Sequence, residues 1–87
     1  MPIVNKPVEV IIKVDVEGNI QPIKMRYEDE NGELQVVKFV NATEIAVPLY
    51  DKKTYKKFSC SCIVNGIKRT YELKYFIETC KWIIYKI

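Results

Sequence analysis

The residues of this chain with the most evident chemistry are its cysteines, Cys60, Cys62 and Cys80. Two of them stand one residue apart in SCSCIVNG, residues 59–66, which raises the question of a metal or redox site. A structural zinc site takes four Cys, His or carboxylate ligands, usually from CxxC-type spacings that wrap the ion. Histidine is absent here, and CxC in an extended strand points both sulfurs to one side without enclosing anything. Residues two apart in a strand lie about 6.6 Å apart, at the limit of disulfide geometry. A catalytic thiol needs an activating base or a cationic neighbour, and only Arg69 offers one. The expectation is buried free thiols, with no metal and no cofactor.

Two charge clusters remain. Glu28, Asp29, Glu30 and Glu33 surround Asn31-Gly32 without the oxygen-ligand spacing of a calcium loop, so they read as a solvated turn. The basic cluster is more informative. Residues 1–49 carry five Lys/Arg against eight Asp/Glu, and residues 50–87 carry nine against three, so the second half holds the positive charge. Strand alternation places Lys57, Lys68, Lys74 and Lys81 on one polar face, with Phe76, Ile83 and Tyr85 between them. Cations interleaved with aromatic side chains on a sheet suit a phosphate backbone and stacked bases.

The elements that must hold these residues are strands. Val8, Val10, Ile12, Val14 and Val16 alternate with Glu9, Ile11, Lys13 and Asp15, and Ile23, Met25 and Tyr27 alternate with Lys24, Arg26 and Glu28. A turn at Glu17-Gly18-Asn19 joins the two runs. At Glu30-Asn31-Gly32, a three-residue loop with Gly32 left-handed pairs Met25 with Val37 and Ile23 with Phe39, burying both apolar sets. The pattern breaks at Asn41-Ala42-Thr43 and resumes with Ile45, Val47 and Leu49, which predicts a bent strand with Pro48 on an edge or at a strand end. Residues 51–58 have no helical stripe and read as a loop entering a strand.

Asn65-Gly66 is the strongest local signal, a two-residue type I′ turn that fixes its hairpin. Cys62 then faces Arg69, Cys60 faces Tyr71 and Phe58 faces Leu73 on the apolar side, while Lys57 faces Lys74 and Ser59 faces Glu72 on the polar side. A last turn near Glu78-Thr79 sets Tyr75 against Trp82 and Leu73 against Ile84. Cys80 falls at the far end of the sheet from Cys60, and Ile83, Tyr85 and Ile87 make the final strand apolar on both faces.

These elements amount to one all-β domain, residues 1–87, of about six antiparallel strands in meander order. They form a small open barrel, SH3-like or OB-like, or a two-sheet sandwich. The 48% of apolar residues suffices for a core of that size, and no apolar run approaches a membrane span or a signal peptide. An odd, low cysteine count suits a reducing, cytoplasmic setting.

The stretches NGIKRTYELKYFIETCKWIIYKI and MRYEDENGELQVVKF resemble a family of short all-β proteins of unknown function from clostridia and related Firmicutes. Cys60 and Cys80 match cysteines of that family, and Cys62 stands where its members carry serine. The resemblance implies a bacterial cytosolic origin and supplies no catalytic or binding residue. The functional expectation is a non-catalytic interaction module that associates with a protein or with its own copy, through a strand edge or the C-terminal strand. The alternative is single-stranded nucleic-acid binding through Lys57, Lys68, Lys74, Lys81 and Tyr85. A small enzyme is the competing class, for which the chain offers no base, metal set or phosphate loop.

Overall fold

The computed structural model describes residues 3–51 and 54–87. Runs of period-two alternation become strands β1 (Ile3–Val14), β2 (Ile20–Glu28), β3 (Leu34–Lys38), β4 (Asn41–Ile45), β5 (Tyr55–Val64), β6 (Ile67–Phe76) and β7 (Lys81–Lys86). A 3-10 turn at Leu49–Asp51 is the one helical element among the described residues. Every ladder is antiparallel, and the strand order is β3-β2-β1-β7-β6-β5-β4. The expected meander order is kept within β1–β3 and within β4–β7 but not between them, because β3 and β4 stand at opposite edges; the pairing of β1 with β7 joins the two halves and curls the sheet into an open barrel.

Two strands make the corners by changing partners along their length, as strands that switch sheets do. The first is β1, which pairs with β7 through Ile3–Val8 and with β2 through Glu9–Val14. The second is the continuous run of β3 and β4. At its bend the Phe39 amide donates to the Ile23 carbonyl of β2 at 2.9 Å, and the Val40 amide donates to Ser61 of β5 at 2.8 Å. The bend therefore falls two residues before Asn41-Ala42-Thr43, where the broken pattern had suggested it. The expected resumption through Val47 and Leu49 does not occur, because β4 ends at Ile45 and the chain leaves the sheet before Pro48. The expected loop at residues 51–58 includes Lys52 and Lys53, which lie outside the described residues, and β5 has begun by Tyr55.

Burial follows the alternation with two corrections. Met25, Val37, Phe39, Phe58, Cys60, Cys62, Tyr71, Leu73, Trp82 and Ile84 form the core, with Val8, Val10 and Ile12 packed against it. Val14 and Val16 do not join them; β1 ends at Val14, and both side chains are exposed. Ile23 also turns outward. A bulge sets Ile11 against Lys24 but Ile12 against Pro22, which buries the proline ring and leaves Ile23 as the extra residue.

Turn chemistry fixes the registers. In the β1–β2 and β2–β3 connections an aspartate four residues before the loop's last residue caps the turn. Asp15 Oδ1 accepts the amides of Glu17 and Asn19, and Asp29 Oδ1 accepts those of Asn31 and Glu33. Gly32 takes φ +77°, and Met25 faces Val37 as the apolar pattern requires. In the β5–β6 hairpin Asn65 and Gly66 both take positive φ, the type I′ signature. That turn dictates all ten pairs of the ladder from Val64–Ile67 to Tyr55–Phe76, including the expected Cys60–Tyr71 and Lys57–Lys74.

Candidate functional site

Because β5 and β6 are locked in register, their outward side chains form fixed rows. Tyr55, Lys57, Ser59 and Ser61 on β5 face Phe76, Lys74, Glu72 and Thr70 on β6. On β7, Ile83 stands beside Lys74 and Lys81 beside Phe76. These rows make the outer surface of the β5–β7 sheet, opposite the buried cysteines.

The centre of this surface is Tyr85. Lys74 Nζ lies 3.8 Å from its ring centroid, Lys86 Nζ 5.4 Å and Lys57 Nζ 5.8 Å. Lys74 also lies 4.6 Å from the Tyr55 ring, and Tyr55 packs against Phe76 with centroids 6.3 Å apart. Each ammonium gains from the negative face of a ring, by roughly 0.5–1 kcal/mol where exposed. Tyr85 thereby gathers three cations that would otherwise repel one another. Among the described residues the one ion pair is Arg26–Glu9, so none of these lysines is neutralised by a carboxylate contact.

Of the residues expected on this face, Lys57, Lys74 and Tyr85 come together. Lys81 lies at the other end, opposite Phe76. Lys68 stands opposite Ile63 near the hairpin turn, six residues or about 20 Å along the strand from Lys74, and takes no part in the cluster. Lys86 joins it unexpectedly. Strict alternation would aim Lys86 away from the Tyr85 side, but a bulge pairs Leu73 with Ile84 and Glu72 with Lys86, which brings Lys86 onto the outer face. No sequence signal marks that bulge. Tyr55 could have been found, since the hairpin register already places it opposite Phe76.

Glu72 interrupts the basic surface. It pairs across the ladders with Ser59 and with Lys86, and its Oε2 is buried with no hydrogen-bond partner. The final strand is less buried than its apolar composition suggested. Trp82 and Ile84 are core, Ile83 and Tyr85 are half-buried under lysine stems and solvent, and Ile87 is exposed.

On the inner face, Cys60 and Cys62 are buried free thiols, as their side of the strand requires. Burial pushes the Cys60 thiol up to about 12 and also raises Cys62, against the opposing pull of Arg69. Both stay protonated at neutral pH. Cys80 differs from the expectation of a buried thiol. It is exposed, at the end of the β6–β7 turn, where its φ of +55° takes the backbone out of the strand before β7 begins. The acidic turn is a structural device in part, since Asp29 Oδ2 also accepts the Gln35 side-chain amide at 2.8 Å. Among the described residues no three His, Cys, Asp or Glu side chains gather closely enough to hold a metal ion. No helix among them is long and apolar enough to cross a membrane. No protein-family model matches the chain, and neither a curated protein nor a solved structure is significantly similar to it.

Proposed function

We propose that this protein is a non-catalytic binding module whose outer β5–β7 face docks single-stranded nucleic acid in the bacterial cytoplasm. The observation that carries this reading is the gathering of Lys57, Lys74 and Lys86 around Tyr85 without a paired carboxylate. Three uncompensated ammonium groups in one place repel each other and attract a polyanion. A phosphate backbone supplies charges at a spacing that several lysines meet at once, and the adjacent Tyr55–Phe76 pair offers aromatic surface for a base. The Tyr85 ring serves as the mount for the cations rather than as the stacking platform. Binding of a fluorescent oligothymidylate, followed by anisotropy across a salt series, tests this. Three phosphate contacts predict a slope of log K on log salt near −2.

Self-association is a second reading, and β3 favours it. This strand pairs on one side with β2 alone, and its Leu34 and Val36 are 59% and 53% exposed. An unprotected apolar edge invites a second strand. The C-terminal strand is less suited to that role, because β7 lies between β1 and β6 and has no free edge. Sedimentation of the wild type and of Val36→Lys tests this reading; a monomer at high concentration removes it.

A further inference from the structure

The change of partner along β1 leaves an opening. Beyond Val8 the strand has no partner on its β7 side, because β7 starts at Lys81 and the β6–β7 turn bends away. A cleft of about 710 Å³ occupies this gap. Its floor is Val8, Val10, Ile12, Tyr75 and Trp82, so the core reaches solvent here through its partly buried shell. Within that floor Tyr75 and Trp82 pack with ring centroids 4.9 Å apart. The volume is within the roughly 300–1,000 Å³ of small-molecule sites, which combine an apolar lining with few polar groups.

The Cys80 thiol is turned to the Ile77 carbonyl at 3.9 Å, and Tyr75 and Lys81 border the cleft beside it. Glu9 also borders the cleft, but its carboxylate is held by Arg26 Nε at 3.0 Å on the neighbouring strand. Lys81 is then the charge at the cleft without a counter-ion among the described residues. An apolar trough bordered by one unpaired ammonium is complementary to a molecule with a hydrocarbon body and a carboxylate head.

We infer that the β1–β7 cleft binds a free, monomeric amphipathic carboxylate, with its hydrocarbon on Val10, Ile12 and Trp82 and its head on Lys81. This site is separate from the Tyr85 cluster and does not depend on nucleic-acid binding. Trp82 is the only tryptophan and lies in the cleft, so its fluorescence reports occupancy directly.

The test titrates the full chain with decanoate below its micellar concentration, following Trp82 emission and backbone amide shifts by NMR. The expected result is a saturable emission change, amide shifts confined to β1, β7 and the β6–β7 turn, and affinity about tenfold lower for Lys81→Glu or for decanol. Lys74→Glu, which strikes the nucleic-acid face, leaves decanoate affinity unchanged. The inference is overturned by the absence of saturable change or by equal affinity for decanol. It is also overturned by shifts centred on Lys57 and Lys74, by a dimer whose interface fills the cleft, or by Lys81-dependent binding to phosphatidylglycerol vesicles in place of free decanoate. Since NMR spectra report folding independently, a misfolded variant is recognised as such and Val10→Phe, which fills the cleft, repeats the test.

Discussion

Lys57 and Lys74 occupy directly opposed positions on adjacent antiparallel strands, and both side chains reach over the same ring, that of Tyr85. Like charges so placed destabilise a sheet by roughly 0.2–1 kcal/mol, while each cation gains a comparable amount from the aromatic face. The ring offsets the repulsion without neutralising the charge. A lysine pair built this way costs the fold something and concentrates positive potential at one point of the surface.

This arrangement separates stability from binding at a single position. Lys57→Glu replaces a repulsive cross-strand pair by an attractive one with Lys74, and the expected gain is about 0.5 kcal/mol in chemical denaturation. The same substitution weakens oligothymidylate binding and reduces the salt slope by about 1. A variant that loses both stability and binding contradicts the arrangement described.

Glu72 makes the opposite prediction. Its carboxylate stands among the lysines with one oxygen buried and unpartnered, a placement that costs a fold on the order of 1–3 kcal/mol where desolvation is complete. Glu72→Gln removes a negative charge from the outer β5–β7 face at nearly constant shape. Oligonucleotide affinity is expected to rise several-fold at low salt, with the gain fading as the Debye length shortens. Anisotropy titrations at two salt concentrations check this.

The thiols predict both a labelling pattern and an alkaline limit. Under native conditions a thiol reagent modifies Cys80 at once, and Cys60 and Cys62 only when the protein unfolds. Cys60 is raised in the folded state from about 9 in the unfolded chain to about 12. Between those values the unfolded chain loses this proton and the folded one keeps it, so stability falls as pH rises from about 9. Cys60→Ala, although less stable at neutral pH for lack of packing, should show a shallower alkaline decline in thermal melts.

Acid affects the turns. Asp15 is lowered first by hydrogen bonds from Asn19, and Asp29 first by the Gln35 amide and then the Glu33 backbone. Depressed carboxyls contribute stability that is present above the unfolded value near 3.9 and is lost as pH falls through the folded one. Asp29→Asn removes that part of the acid dependence and lowers the melting temperature at pH 7 by a few degrees. Melts from pH 2 to 7 on the variant and wild type measure the difference.

Much of this fold could be read from residue pattern because its turns carry explicit chemistry. Asn65-Gly66 and Gly32 specify loop length, loop length specifies register, and register decides which side chains share a face. That chain of consequence places Cys60 and Cys62 inside and Lys57 beside Lys74. Features without a local signal were not legible. The bulge that turns Ile23 outward falls beside Pro22, a residue that sheets accept at bulges, and alternation alone passes over it; the bulge that brings Lys86 to Tyr85 has no glycine or proline beside it and arises from how the sheet coils. The bend was legible to within two residues, and its place at Phe39-Val40 is set by one hydrogen bond to the neighbouring β2 and one to β5, across the sheet. The open cleft follows from where β1 changes partner, which depends on closure of the whole sheet.

Anion docking on the proposed face rests on the lysines around Tyr85. Its most direct measurement is the salt dependence of oligothymidylate binding to the wild type and to Lys74→Glu, the variant that removes the cation closest to the Tyr85 ring. The expected result is a wild-type slope of log K on log salt near −2 and, for the variant, affinity at least about tenfold lower with a slope shallower by about 1. Binding that is absent, insensitive to salt, or unchanged by Lys74→Glu in a folded variant contradicts it.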